Sequence, residues 1–444
     1  MKESLRRISQ SPYPILAFLL LGWALRLFQL TRNSFWVDEG FSVSLASHSI
    51  KEIVIGTAMD QHPPLYYVLL HYWMVFGRNM FVIRFLSAIL GLAAIPLLYR
   101  FASSLLPLHV ALGATFLLVI SPVHIQYSQE ARLYILLFLS TLASTLLVWR
   151  LVEVPSRRFW LGYLFITLVA LYTHYFSLFI LIFQNLFLLM VSLWQRRSEL
   201  AGKGLLTQGA LLLGFLPWVP TLMFQVTQHH LSWIPSPTLT SIRNTICYLI
   251  FGLQGPSRSQ VALVAITVGT VLLAIGFLVA LREWRNKGLF IASWFAIPSM
   301  TIVALSTRYP LYQDKQFLIT LAPLLLLLAL SISRMRIPVQ AVSFLVLLSI
   351  TLPSLHRYYF ISQKQEWREV ASYIDAHAQP GDAIFLSAAA GALTWTTTLR
   401  AAFRRMVIPT PMIYIGVASM ASPRRPKLLI GDSVVWLSST AGFG

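Results

Sequence analysis

Asp38 and Glu39 stand side by side in "FWVDEGFSV", where an apolar run over 13–30 gives way to polar chain. A carboxylate beside a low-dielectric wall is partly desolvated, which raises its basicity and suits it to take a proton from an incoming group. The same pair also suits a helix start, where unpaired N–H groups and the helix dipole favour negative charge. Downstream, "MDQHPPLYY" (59–67) puts Asp60 and His62 ahead of two prolines that fix the backbone and can open a helix. The plain reading is a rigid solvated turn; the chemical one is a phosphate or metal contact near a helix N-terminus. "SPVHIQYSQEARLY" (121–134) offers Glu130 and Arg132. They form either a membrane-edge ion pair or a carboxylate beside a guanidinium fork suited to phosphate. "YTHYF" (172–176) carries His174 at the end of an apolar span, as an interface residue or as a ligand.

The elements that position these residues follow from composition. Of 444 residues, 57% are hydrophobic and only 11% charged, far too few charges for a soluble surface of this length, so the chain reads as a polytopic membrane protein. The net charge of +19 comes from basic residues that mostly flank apolar runs, which points to topology and anionic lipid rather than nucleic acid. The single Cys247 excludes an internal disulfide framework and a cysteine-rich metal site.

Runs of span length predict an all-α integral membrane fold of about eleven transmembrane helices, near 13–30, 82–104, 106–122, 132–150, 159–174, 176–194, 205–224, 260–281, 289–306, 316–332 and 337–355. The first lacks a small-residue cleavage site before Thr31 and is expected to stay as a signal anchor. The run 64–76 is apolar but short and reads as an interfacial helix. With the N-terminus inside, the short cytoplasmic segments hold fifteen basic residues. The outer loops before the C-terminal region hold eight. The acids Asp38, Glu39, Glu52, Asp60, Glu130 and Asp314 then all fall outside, four of them in a long first loop, 31–81. Arg26 and Arg84 lie in or beside spans near their outer ends, with Arg84 a candidate substrate contact. The expected organisation is a membrane domain over 1–355 and a small extracytoplasmic C-terminal region over 356–444. From about 386 that region is a basic tail of atypical composition.

Walker, dinucleotide, HExxH and serine-elbow motifs are missing from the sequence, which argues against a nucleotide cofactor. Taken together, "FWVDEGFSV", "DQHPPLYYVLLHYWMVFG", "VIRFLSAILG", "SPVHIQYSQEARLY", "LYTHYF" and "QEWREVASYIDAHAQPGDAIF" resemble the polytopic type C glycosyltransferases. The likeness is to glycosyltransferase family 39 and its relatives, the protein O-mannosyltransferases and lipid A aminoarabinose transferases. The resemblance implies transfer of a sugar from a polyprenyl-phosphate donor to a lipid, glycan or protein acceptor. The active site would then face the outside of a cell membrane crossed many times, a bacterial plasma membrane being the expected one. It makes Asp38 the catalytic base, Glu130 a further active-site acid and Arg132 a donor-phosphate ligand; Glu39, beside Asp38, is a further catalytic candidate. Asp60, His62 and Arg84 are further substrate-binding candidates from the residues themselves, and the resemblance adds Arg308 and Lys315. Some relatives hold a divalent metal through outer-loop residues; the matching positions here are Gln61 or His62, and His174. Where relatives open a late span with a basic pair, "RYPLYQDKQFLITLAP" offers both Arg308 and Lys315. The competing class is a lipid or glycan transporter or flippase. Such proteins usually carry mid-span ionisable groups and repeated halves, and neither is evident here.

Overall fold

The computed structural model describes residues 13–228, 234–253 and 260–361, then Lys364, Arg368 and a few further helix and strand positions up to Trp436. Lys2, Arg6, Arg7, Arg258 and nearly all of the tail from 386 lie outside the described residues. The chain runs α1 (Tyr13–Leu27), α2 (Val37–Ala46), α3 (Ile50–Ala58), α4 (Leu65–Trp73), α5 (Met80–Leu105), α6 (Leu108–Ile120), α7 (Pro122–Ser128), α8 (Tyr134–Glu153) and α9 (Arg157–Thr173). It continues with α10 (Ser177–Trp194), α11 (Ser198–Phe215), α12 (Val219–Gln228), α13 (Leu239–Phe251), α14 (Gln260–Glu283), α15 (Arg285–Ser306), α16 (Leu321–Ser333) and α17 (Ile337–Phe360). A 3-10 turn, Met74–Phe76, closes α4, and another, Asp314–Thr320, leads into α16. Near the C-terminus Phe385–Leu386 pairs in parallel with Tyr414–Ile415, and Lys427–Ile430 pairs antiparallel with Ser433–Trp436.

Among the described residues, eight helical stretches are long and apolar enough to cross a bilayer, or nine if α6 and α7, bent by 55°, make one broken span. The other two expected segments are the 15-residue α1 and the 17-residue α9. The 64–76 run forms the short α4 and its 3-10 turn.

Composition decides which helices are central. α16, apolar all round, is buried over nearly its whole length, whereas Ser198–Thr227 has only 22% of its apolar window buried and turns most of its Leu side chains outward. The bend between α6 and α7 has a local cause. Pro122 cannot continue the α6 hydrogen-bond ladder, and Ser121 instead caps α7 by accepting the His124 N–H at 3.3 Å. The carbonyls released at the end of α6 go to a buried cation from α1: Arg26 donates to Leu118 O at 3.2 Å and Val119 O at 3.1 Å, and meets His124 Nδ1 at 2.8 Å. Gly91 of α5 lets α7 come this close, because a Cβ there would lie 2.1 Å from Ser128 Oγ. The break therefore aims the chain after α7, residues 129–133, back across the start of α2.

Candidate functional site

Two short pieces build the site, the first turn of α2 and the loop 129–133. Glu39 joins them. Its side chain is fully buried and takes Arg84 of α5 bidentately, Oε1 from Nε at 2.8 Å and Oε2 from Nη2 at 2.7 Å. Oε1 also accepts the Ala131 N–H at 2.9 Å, and Oε2 lies 3.3 Å from Lys364 Nζ. Burial alone would raise the Glu39 carboxyl; the Arg84 guanidinium and Lys364 ammonium overcome it and hold it down at about 2. Arg84, 2% exposed, spends its other donors on the carbonyls of Leu30, Asn33 and Ser34, at 2.8 to 3.0 Å. This corrects two expectations from the sequence. Arg84 is a scaffold for the first outer loop rather than an accessible substrate contact, and Glu39 is an engaged structural anion with no face turned to a ligand.

One residue earlier, Asp38 differs. Its side chain is 31% exposed, and Oδ2 lies 3.5 Å from Arg132 Nη2. Arg132 is held in place by donating from Nη1 to Asp38 O at 3.1 Å and to Ser42 Oγ at 3.2 Å. Its guanidinium packs against the Tyr134 ring, 5.8 Å from the centroid. Lys315 meets the same ring at 5.5 Å from the 3-10 turn before α16. Burial would lower the Arg132 pKa, but its neighbours, Tyr67 and Asp38 first among them, raise it well above its ordinary value, so the guanidinium is permanently charged. Lys315 also lines a cavity of about 280 Å³ with Tyr127, Tyr248, Gln313 and Asp314. The Tyr127 ring stands 5.1 Å from Tyr134, and its hydroxyl is 3.1 Å from that of Tyr248. Arg308 is apart from this group: it is exposed, and among the described residues its side chain makes no hydrogen bond or ion pair. Of the two late-span cations, Lys315 is the one brought to Arg132.

Glu130, 1% exposed, accepts from Gln126 at 3.2 Å and from Lys364 at 3.3 Å, both on Oε1. Lys364 thus bridges the carboxylates of Glu39 and Glu130, with its ammonium 5.8 Å from the centre of the Trp36 ring. Lys364 escaped sequence reasoning although it stands two residues before "EWREVASYIDAH", a stretch that carried part of the resemblance. A lone Lys after a span reads as a topology signal. Arg32 donates to the Tyr359 and Phe360 carbonyls, and Arg368 donates to Thr31 O at 3.0 Å, so the chain leaving α17 is tied to the first outer loop.

His62 and His174 come together as the sequence suggested, with ring centroids 4.9 Å apart. Asp60 is half-buried in the same turn, which Gln225 of α12 fastens by donating to Thr57 O at 2.8 Å. The metal expectation fits poorly. Among the described residues no three His, Cys, Asp or Glu side chains converge as a metal-binding group. His174 Nδ1 already accepts the Phe176 N–H at 3.0 Å. Burial, His174 and the cations Arg132 and Lys315 hold the His62 pKa well below its ordinary value, and a cationic surrounding repels a second cation.

Comparison with known proteins bears on the fold. Residues 61–224 match the sequence profile of the family described as dolichyl-phosphate-mannose-protein mannosyltransferase. No curated protein sequence matches the chain. Among solved structures, ArnT from Cupriavidus metallidurans bound to undecaprenyl phosphate superposes with a TM-score of 0.57 at 13% identity, over 87% of this chain and 84% of that one. The archaeal oligosaccharyltransferase AglB from Archaeoglobus fulgidus, in complex with an inhibitory peptide and a dolichol-phosphate, gives 0.54 at 13% identity, over 83% of this chain and 58% of that one. At such identities the likeness is one of fold.

Proposed function

We propose that this chain, which has the fold of the type C glycosyltransferases, moves a sugar from a polyprenyl-phosphate donor to an acceptor hydroxyl at the extracytoplasmic membrane surface. The observation that carries the proposal is the pairing of Asp38 with Arg132. A partly exposed carboxylate lies 3.5 Å from a guanidinium, and that guanidinium shares the Tyr134 ring with Lys315. Asp38 takes the acceptor proton as the hydroxyl oxygen attacks the anomeric carbon. The bond from that carbon to the phosphate oxygen breaks, and its electron pair leaves with polyprenyl phosphate. Arg132 and Lys315 neutralise the phosphate before and after the break, in a site whose buried walls strengthen the attraction. The open cleft beside Lys315, about 280 Å³ and lined by Tyr127, Tyr248, Gln313 and Asp314, presents mainly polar groups, which suits hydrogen bonding to the hydroxyls of a single sugar ring. Glu39 and Arg84 act through the scaffold.

The test is sugar transfer by the purified protein from polyprenyl-phosphate sugars, read as release of polyprenyl phosphate. Asp38→Asn is nearly isosteric and keeps the backbone contacts to Arg132, but loses proton affinity. Turnover is expected to drop by about 10²–10⁴ with thermal stability unchanged. Near-full turnover in Asp38→Asn would sink the assignment of the base.

A further inference from the structure

His174 ends α9, and its imidazole sits in a ring cluster with His62 at 4.9 Å, Phe176 at 5.2 Å and Tyr134 at 6.0 Å between centroids. Nδ1 accepts the Phe176 N–H, and an imidazole nitrogen that accepts carries no proton. The single proton of the neutral ring is therefore on Nε2. His174 is only 3% exposed, and its Nε2 is buried with no hydrogen-bond partner among the described residues; the same holds for Nδ1 of His62. A buried donor left unpaired costs about 1–3 kcal/mol. Such a cost is sustained most readily where an acceptor arrives with a ligand. Burial, then Lys315 and Arg132, push the His174 pKa down to about 3, so the ring stays neutral at physiological pH. It can donate to an anion without adding a third positive charge to a crowded corner.

We propose that His174 binds substrate directly: its Nε2–H donates to a phosphate oxygen of the lipid donor, beside Arg132 and Lys315, with the His62 ring fixing its orientation. This rests on the donor reading above and deepens it. The acceptor is an oxyanion rather than a sugar hydroxyl, because the two cations that share the Tyr134 ring with His174 are the neighbours of this donor. It also replaces the metal reading: with Nδ1 accepting from the backbone and Nε2 protonated, neither nitrogen offers a lone pair to a cation.

The test is binding of undecaprenyl phosphate, which has the phosphate but no sugar, to the purified full chain in detergent. His174→Phe keeps the ring packing and removes the donor, so affinity is expected to fall by about tenfold. His174→Gln, which places an N–H at similar reach, is expected to stay within about threefold of wild type. Chelator is expected to leave wild-type binding unchanged. Unaltered affinity in His174→Phe overturns the proposal, as does wild-type binding that chelator abolishes and zinc restores. A wild-type protein that does not bind undecaprenyl phosphate overturns the donor reading itself, and this inference with it. Should His174→Phe fail to fold, nitrogen-15 histidine spectra of the wild type decide. A proton on Nε2 whose resonance moves with undecaprenyl phosphate supports the proposal, and an unmoved resonance overturns it.

Discussion

The adjacent acids Asp38 and Glu39 face opposite surroundings, because successive residues of a helix point about 100° apart. Glu39 turns inward to Arg84, Ala131 and Lys364, whereas Asp38 keeps part of its side chain in the open. Glu39→Gln is expected to leave the buried Arg84 without its counter-charge and to cost about 3–5 kcal/mol of stability, with activity lost in parallel. Acid should show the same residue at work. Its folded pKa is depressed from the ordinary 4.5 to about 2, so the stability it gives is complete above 4.5 and disappears as pH falls through about 2. That depression is worth about 3 kcal/mol. Melting temperature followed from pH 6 to about 2 should fall more steeply in wild type than in Glu39→Gln. Equal slopes would mean that Glu39 is not ionised in the folded protein. Arg132→Lys keeps a charge but loses the fork that reaches Asp38 O and Ser42 Oγ. It is expected to raise the donor KM about tenfold or more, in steady-state kinetics with varied donor.

At the scale of elements, the site depends on a broken helix. Ser121 and Pro122 end α6, Arg26 satisfies the carbonyls at the break, and Gln129 donates to Arg26 O at 3.0 Å and Phe28 O at 2.9 Å. These contacts fix the loop that carries Glu130, Ala131 and Arg132. Gly91 is the permissive residue, and its neighbour Ser128 is buried and bonded back to His124 O at 2.6 Å. Gly91→Leu is expected to push α7 off α5, costing about 1–3 kcal/mol and reducing donor affinity through displacement of Arg132. Donor binding and melting temperature measured together check this. A stable variant with wild-type affinity would show that the close approach is dispensable.

For the whole molecule, the basic residues predict sidedness independently of any site chemistry. Reporter fusions after Ser47 and after Ser156 should report opposite faces of the membrane, the first extracytoplasmic. The same face for both would remove the outer-surface site and with it the access of a lipid-linked donor. The chain leaving α17 then belongs on the outer face too, where Lys364 reaches Glu39 and Glu130 and Arg368 reaches Thr31. The segment that follows α17 is thus tied to the first loop across most of the sequence.

Hydropathy by itself determined the all-helical membrane architecture, because bilayer thickness fixes span length and a lipid interior demands internally bonded backbone. Local patterning also marked loops that meet in the structure, since an Asp–Glu pair, a His-Pro-Pro turn and a Glu-x-Arg step are unusual in so apolar a chain. Hydropathy did not tell an intact helix from a broken one, so the run 106–122 hid the bend at Ser121. Nor did it divide labour within the marked loops. Whether Arg84 meets ligand or Glu39, whether Lys315 or Arg308 joins Arg132, and that Lys364 returns to the first loop depend on contacts between residues dozens to hundreds of positions apart. Only the packing of α2, α5, α7 and the 3-10 turn before α16 brings those residues within hydrogen-bonding and ring-contact distance.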